Sequence, residues 1–224
     1  MALKIAVLAS GSGSNLQAII DATVRGTLDA EIRLVLCNRN DAYALERAKQ
    51  AGIPTSTILH TSFDSREAFD AEMIRQLQEA EIEYVVLAGF MRLLTPQFIQ
   101  AFAGRIINIH PALLPSFKGA HGIADAVNYG VTLAGCTVHF VDEIMDNGAI
   151  IAQAVVPVAA HEPADEVQQR VLAFEHRLYP QVLQWIATDR VTQEGRKAFV
   201  KDTGLEKVPS DGSFLVSPQL EHGF

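Results

Sequence analysis

The first hundred residues of this chain alternate short, apolar, β-branched runs with helical patterns, and that regularity constrains the fold more than any other feature. Strands are expected at residues 4–9, 32–37, 55–59, 84–88 and 106–109, where unbroken apolar runs suit strands buried on both faces. Helices are expected between them at 15–24, 42–51, 65–80 and 96–102. Gly52 and Pro54 close the second helix, while Thr95 and Pro96 open the fourth. Strands that alternate with helices build βαβ units around a parallel sheet.

The second half reads differently. Residues 136–141 and 150–156 are strand-like, and the connection between them is too short for a crossover helix, so the pair is expected to be antiparallel. A long helix is expected over 164–186. Beyond Thr188 the pattern weakens, and turn signals at 201–204 and 209–212 point to a short peripheral hairpin and a loose tail. The expectation is therefore an α/β fold with a Rossmann-like, mostly parallel twisted sheet flanked by helices, and antiparallel strands in its C-terminal half. A single domain is expected over 1–190, with the hairpin and tail over 191–224.

Charge and cysteine usage narrow the function. Asp and Glu number 26 against 18 Lys and Arg, a formal net charge of −8. That field repels a polyanion, so small-molecule substrates are expected rather than nucleic acid. Cys37 and Cys136 sit in apolar runs without disulfide or zinc spacing and are read as buried thiols. No apolar run approaches the ~18 residues of a membrane span. No membrane partner and a cytoplasmic location are expected, and a homodimer is left open.

Three segments could carry chemistry. Ser10-Gly11-Ser12-Gly13-Ser14-Asn15-Leu16 follows the first strand and opens the first helix, where backbone N–H groups and the helix N-terminus can hold an anion. Leu16 stands where a dinucleotide fingerprint needs glycine, and Cys37-Asn38-Arg39 supplies no ribose-binding acid, which leaves a monophosphate cradle or a plain capped turn. Asn108-Ile109-His110-Pro111 ends a central strand, placing an amide and an imidazole on one side of it. Such a pair suits a reaction that builds an oxyanion and moves protons, or it is a strand end with a bonded histidine. The loop carrying Asp142, Glu143 and Asp146 is either a solvated turn or the source of a carboxylate that holds His110 and favours its imidazolium. His139 reads as a satisfied core histidine, and His121 as facing the same cleft or starting a helix. Glu175 and His176, taken alone, read as polar residues on the water-facing side of the long helix. Ala88-Gly89-Phe90-Met91-Arg92-Leu93-Leu94, after the fourth strand, offers an apolar wall for a flat aromatic ligand or is ordinary hydrophobic core. No metal site is expected.

Taken together, the Gly11–Ile19 loop and helix start, the 87–92 segment, Asn108 through Pro115, and His139-Phe140-Val141 with Asp146 resemble the phosphoribosylglycinamide formyltransferase family over roughly residues 3–190. The resemblance implies formyl transfer from 10-formyltetrahydrofolate to the amino group of glycinamide ribonucleotide in purine (IMP) biosynthesis, by direct amine attack through a tetrahedral intermediate. It implies Asn108, His110 and Asp146 as catalytic, and Gly13, Ser14, Asn15 and Glu175 as ribonucleotide-binding. It also implies Arg66, Met91, Arg92, Leu93, Leu94, Asn108, Asp142 and Asp146 as folate-binding. Methionyl-tRNA formyltransferase shares the site but adds a nucleic-acid-binding domain, for which 224 residues leave no room. Formyltetrahydrofolate hydrolase carries an extra regulatory domain and lacks the Gly-rich loop. A bare nucleotide-binding module leaves Asn108, His110 and Asp146 unexplained.

Overall fold

The apolar runs of the first half become five parallel strands. A computed structural model describes residues 1–202, 216–217, 221 and 223 and gives the order β1 (Leu3–Ala9), α1 (Ser14–Val24), β2 (Ala30–Cys37), α2 (Tyr43–Gln50), β3 (Thr55–Thr57), α3 (Arg66–Glu79), β4 (Tyr84–Leu87), α4 (Pro96–Ala101) and β5 (Ile106–His110). There follow α5 (Gly122–Tyr129), β6 (Leu133–Phe140), β7 (Ile150–Pro157), α6 (Ala164–Ala187), β8 (Val191–Glu194), β9 (Lys197–Val200) and β10 (Val216–Ser217). The expected α/β class, parallel in its first half and antiparallel in its C-terminal half, is the observed one.

The chain packs as two compact units, Met1–Asn108 with Val141–Glu143, and Ile109–Phe140 with the chain from Ile144 onward. In the first unit the parallel strands run in the order β3-β2-β1-β4-β5. Phe69, Met73 and Leu77 of α3 and Phe98 and Ile99 of α4 pack with Leu8, Leu36, Val85 and Ile106 of the strands. Each such buried side chain contributes about 1.5–3 kcal/mol. Ser65 caps α3 by accepting from the Ala68 N–H at 3.1 Å, and Thr95 caps α4, whose first residue is Pro96. The buried Asp70 of α3 accepts from the Thr95 N–H at 2.6 Å and ties the two helices. Burial pushes the Asp70 carboxyl up from its ordinary range.

In the second unit β6 and β7 pair antiparallel from Leu133↔Pro157 to Val138↔Ala152, with an irregularity after Val138. The long helix α6 buries Val171, Leu178, Tyr179, Val182 and Trp185. The expected peripheral hairpin is β8–β9, paired Val191↔Val200 through Glu194↔Lys197. β10 adds antiparallel to β7 through Val216↔Ala154 and Ser217↔Gln153. Glu221 is held by Arg190 at 2.5 Å, by the Trp185 indole N–H at 3.3 Å, and through its own N–H by Gln181 at 3.0 Å. The turn expected at 209–212 lies outside the described residues.

Most boundaries shift by a residue or two, and larger differences are found at β3, at β6 and in the stretch between β5 and β6. The third strand ends at Thr57, and a short 3-10 turn, His60–Ser62, follows. β6 starts at Leu133 and ends at Phe140, since the next N–H, that of Val141, bonds the Ile106 carbonyl at 2.9 Å. The helix α5 was expected only as one reading of His121, with no bounds given. It buries only Gly122, Ile123 and Ala126, too few apolar residues to print a helical period, and Gly130 stops it at φ 89°.

Candidate active site

The first unit holds the candidate anion cradle, the loop between β1 and α1. Gly13 stands at φ 69°, the left-handed region open to glycine, and a Cβ there would lie 2.7 Å from Ala44. The Gly11 carbonyl accepts from Ala44 N–H at 3.1 Å, and the Ser12 carbonyl from Arg47 Nε at 2.8 Å. The Gly13 carbonyl accepts from Gln17 N–H at 2.9 Å. In a trans peptide C=O and N–H point in opposite directions. With three carbonyls drawn to these partners, the N–H groups of Ser12, Gly13 and Ser14 turn the other way, beside the N-terminus of α1. That is the chemistry of a phosphate cradle. Asn15 is buried in the first turn of α1.

The same unit carries the segment expected to bind folate. Ser10 Oγ donates to Asn38 Oδ1 at 2.6 Å and accepts from the Met91 N–H at 2.8 Å, fixing where the chain leaves β4. Arg66 Nη2 donates to the Leu93 carbonyl at 3.0 Å. Met91 is 65% exposed and Leu93 58%, while Leu94 packs partly against the core. Arg92, Asn108 and Asp142 are half-buried, Asn108 within β5. Apolar side chains held open beside a guanidinium suit a ligand with a flat aromatic body and an anionic end.

The second unit brings His110 and Asp146 together. Their side chains are 5% and 11% exposed, with His110 Nδ1 3.5 Å from Asp146 Oδ2. His110 Nε2 lies 2.9 Å from the Phe117 carbonyl; a carbonyl only accepts, so Nε2 carries a proton. With a carbonyl on one nitrogen and a carboxylate facing the other, the imidazole ring meets an acceptor on each side. Asp146 is fixed in turn: its Oδ2 accepts from the Gly119 N–H at 2.8 Å, and its backbone takes φ 49°. The solvated-turn reading of Asp146 is thereby set aside. Its neighbours Ile144 and Met145 do stand exposed.

His139 is buried, as expected of a core histidine, with Nδ1 2.7 Å from the Phe140 carbonyl and Nε2 3.9 Å from Asp146. His121 occupies the residue before α5 and is exposed, so it starts a helix. Glu175 is no surface residue: it is 4% exposed on α6. Burial, reinforced by the Glu175 carboxylate, pushes the Cys136 thiol well above its ordinary range, and burial raises Cys37 to about 11. Among the described residues no cluster of three or more His, Cys, Asp or Glu could hold a metal, and no helix is long and apolar enough to cross a membrane.

Sequence reasoning missed the groups that hold the reactive ones. Arg47 on the cradle is an ordinary helical arginine in sequence. Phe117 acts through its backbone, which leaves no signal in residue type. Thr137 and Gln153 are single polar residues within the strands β6 and β7, and residue type alone does not say what they bond.

Known proteins match this chain in sequence and in fold. The family model described as Formyl transferase matches residues 3–183. A relative from Escherichia coli (strain K12), phosphoribosylglycinamide formyltransferase, is 44% identical over 94% of this chain and 98% of its own length. The trifunctional purine biosynthetic protein adenosine-3 of Drosophila pseudoobscura pseudoobscura is 46% identical over 89% of this chain, which spans 15% of that protein. The crystal structure of glycinamide ribonucleotide transformylase 1 from Symbiobacterium toebii superposes with a TM-score of 0.87 at 43% identity, covering 89% of this chain and 94% of that one. Over nearly its whole length, then, the chain belongs to the formyl transferase family.

Proposed function

We propose that this chain transfers a formyl group from 10-formyltetrahydrofolate to the amino group of glycinamide ribonucleotide, a one-carbon step of purine biosynthesis. The observation that carries the reading is the buried His110, held between the Phe117 carbonyl and the Asp146 carboxylate. Gly13, Ser14 and Asn15 hold the ribonucleotide phosphate through N–H groups at the start of α1, and Glu175 meets the glycinamide end. Arg66, Met91, Arg92, Leu93, Leu94, Asn108, Asp142 and Asp146 receive the folate. The formyltransferase domain covers 1–190, with the hairpin and tail over 191–224 peripheral to it. The chain works in the cytoplasm on small molecules, with no metal, nucleic acid or membrane.

The substrate amine attacks the formyl carbon, and charge develops on the formyl oxygen. Asn108 and the His110 imidazolium donate to that oxygen; such donors are typically worth about 3–4 kcal/mol each. The 3.5 Å separation of His110 Nδ1 from Asp146 is longer than a normal hydrogen bond, so this nitrogen is the one with capacity to donate to substrate. Asp146, itself held by the Gly119 N–H, faces the ring and orients it. Protons lost by the amine pass to the leaving folate nitrogen, and collapse of the tetrahedral centre breaks the carbon–nitrogen bond to the folate.

The test is a formyl-transfer assay with both substrates, with the folate alone and with the ribonucleotide alone. Formyl loss that requires the amine supports the reading. Formyl loss in water alone makes the chain a hydrolase and overturns it.

A further inference from the structure

The segment that follows His110 is laid on one face of the β6–β7 pair and hooked there by a closed polar network. Thr137 and Gln153 are direct cross-strand partners, so their side chains share that face. Thr137 Oγ1 donates to the Ala112 carbonyl at 2.7 Å and accepts from the Leu114 N–H at 3.1 Å and from Gln153 Nε2 at 3.0 Å. Gln153 Nε2 also donates to the Leu114 carbonyl at 3.1 Å. A hydroxyl has one proton and two lone pairs, and an amide nitrogen two protons, so both groups are used in full. The amide orientation follows, since the Leu114 carbonyl can only accept. At Gly135, two residues before Thr137, a Cβ would collide first with the Ala154 carbonyl of the paired strand and would also lie 2.8 Å from Leu113 Cδ2, so glycine there serves the strand pairing as well as this approach.

Three residues beyond Leu114 comes Phe117, whose carbonyl holds His110 Nε2 at 2.9 Å. The chain thus runs from His110, is pinned at Ala112 and Leu114, and returns its Phe117 carbonyl to the same imidazole. We propose that Gln153 is a positioning residue for the His110 imidazole, acting through the Leu114 carbonyl and the Thr137 hydroxyl to hold the Phe117 carbonyl in place. It touches neither substrate nor reacting atoms. The inference rests on the proposed formyl transfer for its kinetic arm alone, because the state of the ring can be read without turnover.

Gln153→Leu keeps the bulk and removes both donors. It is expected to lower kcat about 10- to 100-fold, the scale of a catalytic group displaced by about 1 Å, with KM for both substrates within twofold. In long-range ¹H–¹⁵N spectra the wild-type His110 ring is expected to report an Nε2 proton protected from solvent exchange by the Phe117 carbonyl, and the variant an Nε2 proton signal broadened or lost by faster exchange. Val156→Ala, a buried truncation on the same strand, serves as the packing control and is expected to lower the melting temperature without changing kcat or the ring signals. Should Gln153→Leu fail to fold, Gln153→Asn, whose shorter amide reaches one partner at most, takes its place with the same expectations. A kcat within twofold of wild type, or a kcat loss with unchanged His110 signals, overturns the proposal. A wild-type enzyme inactive in formyl transfer refutes the function instead, and the ring spectra still decide the role of Gln153.

Discussion

Gly13→Ala tests whether the cradle is built by close approach of backbone. Two costs follow from the structure. A non-glycine residue in the left-handed conformation at φ 69° costs about 1–2 kcal/mol. The new Cβ would lie 2.7 Å from Ala44 Cα and Cβ, where carbon atoms settle about 3.5–4.0 Å apart, so the loop or the start of α2 must move by about 1 Å. Forcing a methyl group into a packed site adds about 1–3 kcal/mol. The total of about 2–5 kcal/mol corresponds to a melting temperature roughly 5–20 °C lower in a chain of this size. The same movement pulls N–H donors off the phosphate. Losing one hydrogen bond to a charged group is worth about 1.5–3 kcal/mol, a 10- to 100-fold rise in KM for the ribonucleotide. KM for the folate should stay within twofold. Gly11→Ala is the internal control, because nothing lies within 4 Å of its Cβ, and it should leave both quantities near wild type. Thermal unfolding and saturation kinetics on the two variants decide the matter. A Gly13→Ala enzyme that melts within 1 °C of wild type with unchanged KM refutes the reasoning. Equal KM losses for both substrates would make the loop a structural turn.

Asp146→Asn, which keeps shape and removes charge, should lower kcat by about 10²-fold or more with ribonucleotide KM little changed, and a kcat within threefold would return Asp146 to the status of a turn residue. Asn108→Ala should cost a similar factor, and combining it with His110→Ala should be far less than additive, measured as kcat for the two singles and the double. The Arg170 guanidinium, donating to Glu162 from Nη2 at 2.8 Å and from Nη1, lowers the Glu162 carboxyl from an ordinary 4.5 to about 2. A depressed carboxyl stabilises the fold above its unfolded pKa and loses that contribution as pH falls through the folded value. The melting-temperature gap between wild type and Glu162→Gln should therefore hold at neutral pH and close between about pH 4.5 and 2; a gap constant with pH would exclude the linkage. Cys37 and Cys136, both buried and raised, should resist Ellman's reagent at pH 8 until the protein is denatured, and rapid native labelling of either would contradict their assignment.

Much of the fold is written locally. The runs that became β1, β2 and β4 are apolar because both faces of a parallel strand are covered, so burial leaves its record residue by residue. Ser65 and Thr95 announce α3 and α4 because capping needs an oxygen at one position of the chain. Asn108, His110 and the glycines of the first loop were visible for the same reason: their chemistry is carried by residue type at short spacing.

Other features depend on segments far apart in sequence. Asp142, Glu143 and Asp146 offer equivalent carboxylates in one loop, and only packing selects Asp146, by placing it on the Gly119 N–H and 3.5 Å from His110. Glu175 looks like a surface acid among polar helix residues until the burial of α6 removes it from water. α5 has too few apolar positions to declare itself and forms because Gly122 fits where any side chain would meet the Pro111 carbonyl at 2.9 Å. The acceptor that determines which His110 nitrogen carries the proton is a backbone carbonyl, which every residue possesses. Amino-acid type therefore determined the strands, the caps and the candidate pair Asn108 and His110, whereas the tertiary structure alone decided which carboxylate and which carbonyl face the imidazole. Hydrogen-bond partners are chosen by distance and direction in space, and neither is encoded at any single position.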